Sequence, residues 1–562
     1  MDIRFDVYYR YEDLTGVLHE LADAYPELVR LSSIGKSHEG RDLWLLEVTN
    51  AATGTGESKP ALWVDGNIHA NEVSGSSACL YLVNALVTQY GADPDITRCL
   101  DTRVFYVCPR LGPDGSELYL ADKPRFIRSS TRPCRDPAET RGGLTREDMD
   151  GDGRILTMRV PDPNGAWKVC PEEPRLIMQR DPAETGGECY RLLWEGRIDD
   201  FDGWLIHLSK DTACLDLNRN YPMDWQPAGR PYANGRFPLS EPETRAAADF
   251  ITGHPSITGA VSFHTWGGAL LRPYGDRDDD VFPNADLAAY QQIGEKGAEL
   301  TGYVPLSSRN YFGGGPRGGM QTSWLYDHLG TFAWTVELWS PYRLAGIESF
   351  DHRTWFRDHP LEDEIKLLKW SDEALGGEGY VDWYPFEHPQ LGSVEIGGWD
   401  WEHFVSNPPP AFLEKEVAPF ADWLVWHLLI SPRLEILNAE AERLDADLYR
   451  VQVVFANTGW LPTQVTDKAV ERGCAGCVHC DIELPEGAEL VGGEARMELG
   501  QLKGRSHKPR YLGTAMGLDP TSDRCKAEWI VRGPAGTDVN LTVRHPRAGT
   551  AARSVTLPAT ND

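Results

Sequence analysis

Basic residues are scarce in this 562-residue chain: 55 Lys and Arg stand against 85 Asp and Glu, a formal net charge of −30. Binding to nucleic acid requires clustered cations that neutralise phosphates, and no such surplus exists, so no nucleic-acid partner is expected. The same deficit argues against an anionic membrane surface, and solubility is the plain reading of the acidity. No run of eighteen apolar residues occurs, so no membrane-spanning helix is expected. The N-terminal "MDIRFDVYYRYEDL" lacks the apolar centre of a signal peptide. Cysteines are few and odd in number, eleven in all, and several stand singly in apolar runs, as at Cys79, Cys99 and Cys108. Reduced thiols in a cytoplasmic protein are therefore expected rather than a disulfide framework. Tandem repeats and long low-complexity tracts are absent too, and nothing in the sequence speaks to oligomeric state.

What is present reads as an ordinary globular composition, 41% apolar and 25% charged, in a chain too long for one core. "YEDLTGVLHELADAYP" carries Leu14, Val17, Leu18 and Leu21 at helical spacing. "RDLWLLEV" and "ALWVD" read as strands. Residues 71 to about 90 return to a helix, "RVFYVCP" is a strand ended by a turn at "GPDG", "EPETRAAADFITGHP" is a helix, and "GAVSFH" and "GTFAWTVEL" are strands. This alternation predicts an α/β domain over residues 1–432, a mixed sheet covered by helices. Periodicity weakens between about 133 and 212, which reads as an insertion. "SNPPPAFLE" marks a rigid joint before the apolar helix "FADWLVWHLLI". Beyond it, "YRVQVVFANTG", "AEWIVRG" and "VNLTVRH" alternate with a period of two, so residues 433–562 are expected to form a β-sandwich accessory domain.

Three strand-like runs end on chemistry. "ALWVDGNIH" runs into His69 with Glu72 behind it, "GAVSFH" ends on His264, and "GTFAWTVE" ends on Glu337. Ligands of open α/β sheets bind beyond the carboxyl ends of strands, so this fold can gather two imidazoles and two carboxylates in one crevice. Two histidines and one carboxylate suit a catalytic zinc with a position left for water, and the remaining glutamate suits a general base. Taken singly, each residue has a blander reading: a surface histidine before a helix N-terminus, a core histidine, a strand-end carboxylate.

The succession "GNIHANE", "RFIRSS", "LDLNRNYP", "VSFHTWGGALLRPYG", "WTVEL" resembles the zinc metallocarboxypeptidases of the carboxypeptidase A/B type, over residues 8 to about 345. The form "GNIHANE" is closer to the carboxypeptidase E/N-like branch. The resemblance implies His69, Glu72 and His264 as ligands of one Zn2+ and Glu337 as the catalytic glutamate. It implies Arg128 as the group that polarises the scissile carbonyl, and Asn218 and Arg219 as the clamp on a peptide's terminal carboxylate. Asp216 would orient the first zinc histidine. Tyr311 is the nearest candidate for the tyrosine that caps bound substrate, and Thr322 for the floor of the side-chain pocket. Asn71 stands where relatives often carry an arginine. The implied activity is hydrolysis of the last peptide bond of peptides or proteins. An amidase, deacylase or cell-wall peptide hydrolase on the same scaffold, and a non-catalytic peptide-binding relative, are the alternatives.

Two smaller signals stand apart. "DMDGDGRI" places Asp148, Asp150 and Asp152 as in a calcium loop, but Arg159 occupies the twelfth position, and an acidic surface turn is the alternative to Ca2+. "CAGCVHC" brings Cys474, Cys477, His479 and Cys480 together without a second pair to close a four-ligand site, which favours a reduced surface loop. The insertion is expected to cover one rim of the cleft.

Overall fold

The computed structural model describes residues 3–133, 141–210, 213–227, 234–315, 317–348, 350–351, 354–508 and 519–559. Its centre is an eight-stranded mixed sheet. The spatial order is Val29–Lys36, Asp42–Val48, Val104–Cys108, Ala61–Gly66, Ile257–Thr265, Phe332–Leu338, Ala269–Arg272 and Val304–Ser307. The four strands Val104–Cys108, Ala61–Gly66, Ile257–Thr265 and Phe332–Leu338 run parallel to one another. All their residues are buried, as strands covered on both faces require.

Helix Ser74–Gln89 packs on the strands Ala61–Gly66 and Ile257–Thr265, and helix Gln321–Leu329 on Ile257–Thr265 and Phe332–Leu338. The first helix comes very close. A Cβ at Gly66 would lie 2.5 Å from the Gly75 carbonyl carbon and oxygen, and one at Gly75 would lie 2.9 Å from the Phe263 carbonyl oxygen. Two glycines thus bring the helix start against the sheet where His69 and Glu72 leave it. The apolar helix after the proline joint, Pro419–Leu429, belongs to the same core: Trp423 stacks edge-on to Trp334 at 5.9 Å. "GPDG" does not simply turn the chain. Gly112 caps a helix, Pro113–Tyr119, with Pro113 in its first turn, where its missing N–H costs nothing.

The expected insertion is only half of what it builds. Its strands Thr157–Pro161, Trp167–Val169, Ile177–Gln179 and Tyr190–Trp194 join a hairpin from far downstream, Tyr380–His388 and Gly392–Trp399, in one six-stranded antiparallel sheet. Residues 134–140 and 211–212 of the expected insertion lie outside the described residues. From Leu434 to Thr556 the chain forms two four-stranded antiparallel sheets. Tyr449, Val451, Val453 and Phe455 point into a core shared with Trp529, Val531, Leu541 and Val543. Among the described residues no helix is long and apolar enough to cross a membrane. Among the described residues nine cysteines are free, but Cys214 is disulfide-bonded, so the expectation of reduced thiols throughout fails there, and with it the thiol argument for a cytoplasmic location.

Gly66→Ala is expected to destabilise the chain by about 1–3 kcal/mol through overpacking. The readout is a lower urea midpoint at unchanged slope; an unchanged midpoint would mean that the helix start does not need this close approach.

Candidate active site

The Ala61–Gly66 strand ends in a local device that aims His69. Asn67 adopts a left-handed conformation, φ 58°, which asparagine tolerates better than most residues. Its Nδ2 donates to the His69 carbonyl at 2.6 Å, and its Oδ1 accepts from the hydroxyls of Ser76 at 3.2 Å and Ser116 at 3.0 Å. The chain therefore leaves the sheet in a fixed direction, and Glu72 follows just before helix Ser74–Gln89 begins. The helix starts at Ser74, three residues later than the spacing predicts. His264 and Glu337 face each other across the parallel pair of strands that carries them, as register partners.

His69, Glu72 and His264, all buried, present ligand atoms within 4.8 Å of one another. His69 Nδ1 lies 2.8 Å from Glu72 Oε1, His264 Nδ1 lies 2.8 Å from Glu72 Oε2, and the two Nδ1 atoms are 3.1 Å apart. The outer nitrogens show which lone pairs face inward. His69 Nε2 meets Asp216 Oδ1 at 3.1 Å. His264 Nε2 meets Ser262 Oγ at 3.3 Å, and Ser262 Oγ donates to Asp65 Oδ1 at 2.5 Å. In the tautomer that a metal requires, each Nε2 carries its hydrogen outward to these partners and each Nδ1 turns a lone pair toward its counterpart. Two lone pairs facing at this distance repel unless a cation lies between them. Tetrahedral zinc with Zn–N bonds of about 2.0–2.1 Å holds two nitrogens roughly 3.3 Å apart, so this donor set fits the ion.

The charges agree. Burial opposes ionisation of Glu72, but the two histidines hold its carboxyl well below the usual range. Burial likewise opposes ionisation of Asp216, yet Arg128, Arg219 and His69 keep it ionised. Burial raises the Asp65 carboxyl, tempered by hydrogen bonds from Ser262, Trp63 and Gln321. Burial also lowers His264, which favours the neutral ring that a metal needs.

Arg128 contacts this cluster directly and Glu337 lies on the strand beside His264, while Asn218, Arg219, Tyr311 and Thr322 hold contacts of their own. Arg128 donates from Nε to Asp216 Oδ2 at 3.2 Å and from Nη1 to Glu72 Oε1 at 3.4 Å. Glu337 is buried, and burial followed by the Glu72 charge pushes its carboxyl well above the usual range, with Arg128 opposing. Asn218 sits in a short turn, Leu217–Arg219, capped by Asp216. Its Oδ1 accepts from the Gln321 N–H at 2.9 Å, and Arg219 Nη1 donates to its carbonyl at 2.7 Å. Tyr311 is buried with its hydroxyl donating to the Trp266 carbonyl at 2.6 Å, a fit that needs Gly267 because a Cβ there would lie 2.0 Å from the Tyr311 oxygen. Thr322 opens helix Gln321–Leu329 and accepts from Thr335 Oγ1 at 3.3 Å, two residues before Glu337. Asn71 Oδ1, Thr265 Oγ1 and Gln321 Oε1 are buried without a hydrogen-bond partner among the described residues, so the crevice is lined with polar atoms still to be satisfied.

A family profile described as zinc carboxypeptidase matches residues 14–174 and 177–351, more than half of the chain. The chain belongs to the zinc carboxypeptidase family. A second profile, described only as a domain of unknown function, matches residues 433–556. Carboxypeptidase A6 from Mus musculus is 27% identical over 297 residues, covering 52% of this chain and 51% of that protein. Carboxypeptidase B from Homo sapiens is 26% identical over 391 residues, 68% of this chain and 72% of that protein. The chain thus spans about half the length of the first of these relatives. The crystal structure of carboxypeptidase A from Helicoverpa armigera aligns with a TM-score of 0.42 at 18% identity, covering 76% of this chain and 73% of that one.

Several residues that build this zinc carboxypeptidase crevice escape a reading by motif. Asp65, Ser262 and Gln321 form the support behind His264, with Gln321 Nε2 donating to Asp65 Oδ2 at 2.8 Å. The signal was a carboxylate inside an otherwise apolar strand, which must be paired if buried. The acidic turn departs from expectation. Asp148 and Asp150 gather with Glu195, not with Asp152, whose Oδ1 accepts from the Arg154 N–H. Asp148 accepts from the N–H groups of Gly151 and Gly153, so the loop holds itself. In "CAGCVHC" only Cys477 and His479 converge, with Glu498; Cys480 is buried in the core and Cys474 contacts Arg547.

Asp216→Asn and Ser262→Ala are each expected to weaken zinc binding about 10–100-fold by releasing an imidazole from its outer partner. Chelator competition on folded protein measures this, and wild-type affinity in both variants would show that neither partner holds its ring.

Proposed function

We propose that this chain is a zinc-dependent carboxypeptidase that removes the C-terminal residue from peptides or proteins. The observation that carries the reading is the convergence of His69, Glu72 and His264 with Glu337 on the neighbouring strand and Arg128 at their edge. His69, Glu72 and His264 would hold the zinc, which when bound would supply a water acidified to a pKa of about 7 and Lewis-acid polarisation of the scissile carbonyl. Glu337 takes the proton from the attacking water at its carboxylate and returns it to the leaving amine. Arg128 receives the negative charge that builds on the carbonyl oxygen. Arg219 grips the free terminal carboxylate through its planar fork, with the Asn218 amide beside it, so only the last bond reaches Glu337. Tyr311 closes over the bound residue, and Thr322 meets its side chain.

The accessory part, residues 433–562, reads as a separate β-sandwich that braces the catalytic part. Its Arg547 Nη1 donates to the Gly330 carbonyl at 2.9 Å, its Thr466 hydroxyl to the same oxygen at 2.8 Å, and its Asp467 N–H to Asp286 at 2.8 Å. Gly330 caps the helix that begins with Gln321 and Thr322.

Glu337→Gln is expected to retain zinc by metal analysis and to lose at least about 100-fold in turnover of blocked dipeptides. Undiminished turnover would remove the proposed base. Arg219→Ala is expected to depress kcat/KM on free-acid substrates and to leave C-terminal amides unaffected; equal loss on both would contradict the carboxylate clamp and favour an amidase.

A further inference from the structure

Beside the crevice, and sharing none of its catalytic residues, lies a cavity of about 600 Å3. Six cationic side chains line it: Lys123, Arg125, Arg141, Arg146, Arg197 and Lys210. Three carboxylates join them, Glu147, Asp148 and Asp199, a ratio opposite to that of the whole chain. Those acids are engaged locally. Asp199 pairs with Arg197 at 3.2 Å, Glu147 lies 3.9 Å from the same guanidinium, and Asp148 accepts from two backbone N–H groups of its own loop. Arg146 is held flat by aromatic faces, 3.8 Å over Trp194 and 4.8 Å over Phe126. Lys123, Arg141 and Lys210 are exposed and form no ion pair among the described residues. Among the described residues the cavity lining therefore carries more positive than negative side chains, in a chain whose net charge otherwise repels anions.

Two chain segments lead from this cavity into the catalytic cluster. Lys123 and Arg125 precede Arg128 on one, and Lys210 precedes Asp216 on the other. The segments are tied by a bridge between Ser130 and Leu215, and Lys210 is bridged to Arg141. Extended chain advances about 3.3 Å per residue, so Arg125 stands within roughly 10 Å of Arg128. A substrate whose last residue is clamped by Arg219 and whose scissile carbonyl meets Arg128 sends its preceding residues away from the clamp. We infer that the cavity is a subsite for acidic side chains of the peptide a few residues before the scissile bond, so that the preferred substrates are peptides with acidic tails. This inference rests on the carboxypeptidase reading for its polarity, but the site itself can be tested without catalysis.

The experiment uses the zinc-loaded full chain with Glu337→Gln and two fluorescent peptides that share one C-terminal dipeptide. One carries four glutamates before that dipeptide and the other carries four serines. Anisotropy at low salt is expected to show about 5–10-fold tighter binding of the glutamate peptide. The difference should vanish at about 1 M salt, where the screening length falls to about 3 Å. Adding Arg141→Glu and Lys210→Glu should abolish the preference. The same two substitutions in the otherwise wild-type chain should leave hydrolysis of a blocked dipeptide, too short to reach the cavity, within about twofold. Equal affinity for the two peptides, or a preference that survives charge reversal, overturns the subsite. A preference lost on charge reversal in a protein that hydrolyses no dipeptide upholds the anion site and overturns the carboxypeptidase reading instead.

Discussion

Two imidazole Nδ1 atoms 3.1 Å apart, with a carboxylate bridging them, are the constraint from which the rest of this structure follows. Such an arrangement is uphill in the absence of a cation, so something must hold each ring in place. Asp216 does this for His69 and the Ser262–Asp65 pair does it for His264. These supports come from three separate stretches of chain: Asp216 caps the turn Leu217–Arg219, and Asp65 and Ser262 are register partners on neighbouring parallel strands. The parallel arrangement of the central strands brings those ends to one edge of the sheet, where their side chains converge without long loops. Gly66 and Gly75 let the first helix close on the same edge.

Burying so much charge requires compensation, and the site supplies it in a chain of contacts. Glu72 meets both histidines and Arg128; Arg128 also meets Asp216; Asp216 returns to His69. Of Glu72, Asp216 and Glu337, each but one thus has a cation or an imidazole beside it. The exception is Glu337, whose strand neighbour His264 has its Nδ1 turned to Glu72. The least compensated acid is the one assigned to move a proton, and the best compensated ones are those assigned to stay ionised. Environment rather than residue type separates these roles.

The central sheet was legible because its strands are continuous apolar runs, and His69, Glu72, His264 and Glu337 because they lie at or just beyond the ends of three such runs; Arg128, Asp216, Asn218, Arg219, Tyr311 and Thr322, in loops, turns and helices, were named only through the family resemblance. What escaped has physical reasons. The hairpin over residues 380–399 contains Pro385 and a run of glycines, and its partner strand Thr157–Pro161 lies more than two hundred residues upstream. Pairing over that distance leaves no local signal, so residues 133–212 read as an isolated insertion. Asp65 and Ser262 were hidden inside apolar strands, where alternation with the histidine on the same face was their only mark. The acidic turn differs for the opposite reason: its regular spacing serves its own backbone, and the third carboxylate, Glu195, comes from the bend between strands Tyr190–Trp194 and Gly196–Ile198.

The aromatic residues explain why the added sheet bears on the crevice. Trp266 follows His264 by two residues and packs edge-on against Trp401 at 5.8 Å, and Trp401 against Trp194 at 6.3 Å. Trp194 ends a strand of the added sheet and carries Arg146 on its face. A rigid line of rings therefore runs from the histidine strand to the cationic cavity. Such rings lose little conformational freedom on packing and transmit position well. The wall they form is fixed at one end by the catalytic sheet and at the other by the six-stranded sheet. The cavity itself is lined by loop residues and by the antiparallel pair Leu144–Arg146 and Gly196–Ile198, and Arg146, resting on Trp194, joins that lining to the wall.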